Sequence, residues 1–232
     1  MSHDYSEDQL IQKSTADFLE KELGWKSVYA FDKEVLGANG TLGRTTYPEV
    51  LLTARFRKAL KVLNPWLTDK QLQECVERMT EHMSSQTLMQ INEQKYQYIK
   101  DGVPVTRIKS NGETEKVRAK VVDFVSPEKN DFLCVRELQV YGSLYRRRAD
   151  IVGFVNGIPL LFMELKNHDV EVVDAFNKNY RDYLDTIPQL FYHNAFILFS
   201  NGLEARVGTI DSKWEFFHEW KRLTEQEAGN IE

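Results

Sequence analysis

The chain has 232 residues, 42% of them apolar, and a formal net charge of −5. That length and apolar content suit one full α/β domain whose core needs no covalent staples. Two cysteines far apart (Cys75 and Cys134) exclude a disulfide framework or cysteine-rich zinc site, five scattered histidines give no ligand spacing, and no apolar run approaches the ~20 residues that span a bilayer.

The acidic opening, residues 1–8, resembles neither a signal nor a transit peptide, so a cytoplasmic protein is expected. Leu10, Ile11, Phe18, Leu19 and Leu23 recur near the helical period up to Gly24, and residues 27–31 predict a strand. After a loop over 37–46, a helix over 50–63 is stopped by Asn64-Pro65. Thr68 is placed to cap a third helix, whose apolar face Leu72, Cys75, Val76 and Met79 makes Cys75 a buried free thiol. A fourth helix runs over 87–99. The period then changes: strands are predicted at 103–109, 116–124 and 132–140, punctuated by Ser110-Asn111-Gly112 and Ser126-Pro127. Two further strands, 144–155 and 158–166, flank Asn156-Gly157. A helix follows with Val172, Phe176, Tyr180 and Tyr183 on one face. The apolar run 195–199 suits a covered central strand, 204–210 a last short strand, and 212–224 a closing helix. The expected organisation is a single domain over 1–232: a mainly helical part (1–100), a sheet core (103–210) and a C-terminal helical segment (212–232), with a mixed central sheet flanked by helices.

Chemistry concentrates between Arg146 and Asn167. Asp150 lies near the start of one strand of a predicted hairpin, and Glu164 and Lys166 near the end of the other. Residues i and i+2 of a strand share a face, so Glu164 and Lys166 point the same way. A plain two-residue turn at Asn156-Gly157 pairs Asp150 with Met163 and leaves Glu164 on the wrong face. A three-residue loop or one bulge pairs Asp150 with Glu164. Because Pro159 also avoids a regular ladder, an irregular turn is expected. Two converging carboxylates hold Mg²⁺ through hard oxygen ligands, with Mn²⁺ as a substitute. The ion polarises a phosphate and lowers the pKa of bound water, and a nearby lysine orients that water. The backbone carbonyl of Leu165 is a further candidate ligand. Arg146, Arg147 and Arg148 are candidate contacts to DNA phosphates. The alternative reading is a surface Glu164–Lys166 ion pair. Against it, Glu164 emerges directly from the apolar run 160–163, a costly place for an unpaired carboxylate. The acidic net charge counts against a dedicated nucleic-acid binder, but a domain tethered to a larger machine needs only a local positive patch.

Other features read more plainly. Gly37 to Gly43 has the wrong spacing for a nucleotide loop, and Arg44 faces DNA or solvent. Asp131 and Glu137 are either extra acids at the site or exposed charges, with exposure the expectation, and Glu20 is expected on the solvent face of its helix rather than near the ion. The Trp214, Phe216, Phe217, Trp220 cluster is read as packing or as a docking face.

The words Leu42-Gly43-Arg44, Leu63-Asn64-Pro65, Arg148-Ala149-Asp150-Ile151-Val152, Val155-Asn156-Gly157-Ile158-Pro159-Leu160, Glu164-Leu165-Lys166-Asn167, Pro188-Gln189-Leu190-Phe191 and Ser200-Asn201-Gly202 carry a family likeness. From about residue 6 to residue 220 the chain resembles the N-terminal region of the endonuclease (R, or motor) subunit of type I restriction enzymes. The resemblance implies a restriction-endonuclease-like PD-(D/E)xK fold, metal binding by Asp150 and Glu164, and a catalytic Lys166. It also implies a Gln-x-x-x-Tyr motif on the next helix. Tyr183 matches the Tyr, and Asn179 stands where the Gln belongs. Family members act on double-stranded DNA with separate methylation and specificity subunits and continue into an ATP-driven motor. This sequence has no G-x-x-x-x-G-K-[ST], so ATP is not expected to bind to it. Two other readings stand beside the restriction endonuclease: a repair or recombination nuclease of the same fold, and a catalytically silent coupling module.

Overall fold

The computed structural model describes residues 7–109 and 111–220, the side chains of 7–10 excepted. Ser110 of the first expected turn and residues 221–232 of the expected C-terminal segment lie outside them.

The apolar stretches between 132 and 165 build three long neighbouring strands: β4 (Phe132–Tyr141), β5 (Arg146–Val155) and β6 (Ile158–Leu165). Around them a seven-stranded mixed sheet has the order β1-β4-β5-β6-β7-β8-β9. The outer members are β1 (Lys26–Tyr29), β7 (Phe196–Ser200), β8 (Ala205–Gly208) and β9 (His218–Glu219). β1 runs parallel to β4 and β7 parallel to β6, and the other neighbours are antiparallel. Helix α1 (Glu7–Lys21) covers one face, where Ala16 and Leu19 meet Cys134, Ile151, Met163 and Leu165. The opposite face is covered by α5 (Val172–Asp174), a π-helical turn (Ala175–Tyr180) and α6 (Arg181–Thr186), which bury Phe176, Tyr180 and Tyr183 against Phe162 and Phe199. The expected mixed sheet flanked by helices is the architecture found.

Helices α2 (Thr53–Leu63), α3 (Asp69–Thr80) and α4 (Leu88–Asp101) enclose a second core. Thr68 caps α3 as expected, in a reciprocal capping box with Gln71, and Thr87 repeats the device with Gln90 at α4. The far end of α3 is satisfied from outside. Lys95 donates to the carbonyls of Arg78 and Glu81, and His193 Nε2 lies 2.8 Å from that of Met79. Strands β2 (Val103–Ile108) and β3 (Thr114–Ala119) form a separate two-stranded hairpin within this core. The sheet core expected to start at 103 therefore draws its first strand from 26–29 instead.

Three other expectations are corrected. The β5–β6 turn is tight, not irregular. Asn156 (φ 54°) and Gly157 (φ 80°) are both left-handed, as in a two-residue type I′ turn, and Val155 pairs with Ile158. The register shift comes further along, where Phe154 pairs with Pro159 but Gly153 with Leu161. This bulge accommodates a proline in a central strand. The closing helix is, over 212–220, a 3-10 turn (Trp214–Phe216) followed by β9. Trp214 and Phe217 pack on Phe176, a contact that a 3-10 turn's i,i+3 spacing satisfies as well as a helix's. Arg44 faces neither DNA nor solvent. It is fully buried, bidentate to Glu34 at 2.6 Å twice, and donates to the carbonyls of Tyr47, Glu49 and Gln139. Both cysteines are buried free thiols, and burial pushes Cys75 up to about 12 and Cys134 to about 11.

Candidate active site

The bulge at Gly153/Phe154 sets the register that matters. Beyond it Ile151 pairs with Met163, so the next rung places Asp150 opposite Glu164. The Leu165 backbone N–H donates to Asp150 Oδ2 at 2.7 Å, holding that carboxylate over the end of β6. Glu164 and Lys166, two apart, share the face, and Lys166 Nζ donates to Glu164 Oε1 at 3.1 Å. Asp150, Glu164 and Lys166 line one cavity of about 370 Å³ with Arg148, Asn179 and Tyr183.

Glu164 is the unusual group. Its residue is 1% exposed, and Oε2 has no hydrogen-bond partner. Burial pushes its pKa well above the ordinary carboxylate range, and the Asp150 charge pushes it further the same way, with Lys166 opposing both. A buried, half-satisfied carboxylate beside a like charge is expensive unless a cation answers it. A divalent ion between the two acids would relieve the repulsion and occupy the orphaned oxygen, so these residues fit one. Among the described residues no three His, Cys, Asp or Glu side chains are grouped to hold a metal. Two carboxylates with a backbone carbonyl nearby are a hard-oxygen donor set.

On the helical wall, the Tyr183 hydroxyl donates to the Arg148 carbonyl at 2.8 Å and Asn179 approaches the same hydroxyl. Burial and the nearby Glu164 and Asp150 raise the Tyr183 pKa, so it stays a neutral donor. Asn179 sits in the π-helical turn, a form that recurs at functional sites. The three arginines differ in their commitments. Arg147 forms a two-bonded pair with Asp182, Arg148 pairs with Glu137 and lies over Phe31, and exposed Arg146 stacks on Tyr141.

One lining residue escaped the sequence reading and another was set aside as exposed. Gln12, on α1, is 3% exposed and reaches this cavity. A polar residue one turn before the buried Ala16 was the available signal. Glu137, expected to be exposed, is 6% exposed and lines the cavity. Asp131 is also half-buried, paired with Lys26 and Arg55. It belongs to a larger cleft of about 580 Å³ at the hairpin end of the sheet, where it is the one carboxylate among the lining residues.

A family model described as "Type I restriction enzyme R protein N terminus (HSDR_N)" matches residues 4–216. The chain is 30% identical over 210 residues to the type I restriction enzyme HindI endonuclease subunit of Haemophilus influenzae, covering 89% of this chain and 19% of that protein. It is 32% identical over 183 residues to the putative type I restriction enzyme MjaIXP endonuclease subunit of Methanocaldococcus jannaschii, covering 77% and 17%. A Staphylococcus aureus type I restriction enzyme endonuclease subunit, SauMSSORF170P, is 25% identical over 193 residues, covering 79% and 19%. The chain thus spans about a fifth of the length of these curated relatives.

Proposed function

The chain belongs to the type I restriction enzyme R protein N-terminal family, and on that premise we propose that it is the Mg²⁺-dependent DNA-cleaving domain of such a subunit. The observation that carries this reading is the register of β5 and β6, which sets Asp150 across from Glu164 with Lys166 beside them. Asp150, Glu164 and the Leu165 carbonyl would hold the ion, with Mn²⁺ able to replace Mg²⁺. When bound, it would polarise a phosphate and acidify a water.

The chain's own residues do the rest. The Leu165 N–H fixes the Asp150 carboxylate, and Lys166 holds Glu164 in place and stabilises charge developing on the phosphate. Tyr183 locks the backbone at Arg148, with Asn179 supporting its hydroxyl. Arg146, Arg147 and Arg148 line the cavity, and exposed Arg146 is available to the DNA backbone. The substrate is double-stranded DNA. Target choice belongs to methylation and specificity subunits, and ATP use to a motor domain of the same subunit. No described helix is long and apolar enough to cross a membrane.

The test substitutes Asp150→Ala, Glu164→Ala and Lys166→Ala in the complete subunit within its restriction complex. Cleavage of duplex DNA should vanish while DNA binding survives. Undiminished cleavage by Lys166→Ala would remove the assignment.

A further inference from the structure

Glu137 occupies a backbone conformation that a glutamate in a strand rarely adopts. Its φ is 59°, in the left-handed region, midway along β4. The consequence is visible in the core. Leu133 and Val135 face the helix α6 side, but the series resumes with Leu138 and Val140, so the alternation slips by one residue around Glu137. The partner strand slips at the same level, with Phe154 and Val152 followed by Ala149 rather than Asp150. Arg136 pairs with Ile151 and Leu138 with Ala149, so Glu137 and Asp150 are opposite one another. Like charges directly across a ladder destabilise a sheet. The slip keeps Leu138, Val140 and Ala149 in the core, and it leaves the two acids between them. It sets a buried carboxylate in the wall of the cavity that holds Asp150 and Glu164.

What that carboxylate holds is Arg148. The two are ion-paired through the guanidinium Nε, the guanidinium lies 4.3 Å from the centre of the Phe31 ring, and the Arg148 carbonyl is fixed by Tyr183. A guanidinium paired on one side still offers N–H donors to a phosphate. We propose that Glu137 is a positioning residue of this site: it aims the Arg148 guanidinium at a phosphate oxygen of the DNA strand lying over Asp150 and Glu164. It acts through Arg148, its ion-pair partner, and not as a metal ligand. The inference rests on the nuclease reading above.

The test combines Glu137→Gln, Arg148→Ala and their double variant in the complete subunit, with Mn²⁺ titration and salt-dependent duplex binding alongside cleavage. Glu137→Gln should slow kcat by at least about tenfold, because a misplaced arginine no longer meets the phosphate. Mn²⁺ affinity should stay within about twofold, and the slope of log affinity against log salt should fall by roughly one for one lost phosphate contact. In the Arg148→Ala background Glu137→Gln should add nothing further. Glu137→Gly, which relieves the left-handed backbone, should melt at or above the parent temperature while cleaving as poorly as Glu137→Gln, separating function from folding. Additive losses in the double variant, loss of Mn²⁺ binding, or unimpaired cleavage by Glu137→Gln would each overturn the proposal. Cleavage that survives Asp150→Ala would instead overturn the nuclease reading on which it stands.

Discussion

The carboxylate of Asp150 and the backbone N–H of Leu165 are joined by a 2.7 Å hydrogen bond across two strands. This bond fixes the acid on β5 relative to the neighbour of the acid on β6, so the spacing of the pair is set by the sheet and not by side-chain chance. A site built this way stores electrostatic cost in the metal-free chain.

Glu164 bears the cost directly. Its folded-state pKa is raised above its unfolded value, first by burial and then by Asp150. The associated stability is fully present below the unfolded value of about pH 4.3 and is lost as pH rises through the folded one. Without divalent ions, Glu164→Gln should therefore stabilise the chain near neutral pH by about 1–3 kcal/mol and flatten its pH dependence. Urea titrations at several pH values measure both. Destabilisation by this substitution would show that Oε2 is satisfied in solution.

Arg44 tests the frame. Its removal would strand the buried Glu34 carboxylate and three carbonyls. Arg44→Ala should cost about 3–5 kcal/mol in chemical denaturation. Arg44→Lys should recover little, because an ammonium cannot make the two-bonded contact.

His193 links the helical part to pH. Burial holds its pKa down to about 4, against the Met79 carbonyl contact, which raises it, and nearby Lys95, which lowers it further. The sign is that of a depressed group. Stability is full above the unfolded value of about 6.5 and declines as pH falls from there to about 4. Compared with the parent, His193→Gln should lose less stability between pH 7 and pH 4, read as a smaller drop in melting temperature.

Gly157 guards the register. Its φ is 80°, and a Cβ there would lie 2.6 Å from the Leu52 carbonyl oxygen and 2.9 Å from the Phe56 nitrogen, both backbone atoms at the start of α2. Gly157→Ala should therefore cost more than the ~1 kcal/mol of a left-handed backbone alone. If the turn shifts, cleavage should fall with stability, since the hairpin carries Asp150 and Glu164.

Much of this was legible because charge interrupts apolar runs at few places. Asp150, Glu164 and Lys166 stand at such interruptions, and Thr68 announced α3 by its cap. The register was only half legible. Sequence showed that a longer loop or a bulge was needed, but the Asn156-Gly157 turn is favourable in its own right, so the adjustment lies at Pro159, where the ladder lacks a donor. Glu137 reads as an exposed charge more readily than as an acid of the site because residues 132–140 look like an ordinary strand. Its slip in alternation depends on a left-handed residue, and glutamate does not advertise one. Arg44 looked like a free surface cation because its partners come from Glu34, its own loop and distant β4. Residues 214–219 carry aromatics at a spacing shared by helix and 3-10 turn, and pairing with β8 decided between them.

The most direct measurement is an anomalous difference map from crystals of the chain soaked in Mn²⁺. A single peak between the carboxylates of Asp150 and Glu164, within about 2.5 Å of an oxygen from each and absent in Glu164→Gln, is the predicted result. A map with no density there at saturating Mn²⁺, or with the ion bound elsewhere and unaffected by Glu164→Gln, would contradict it.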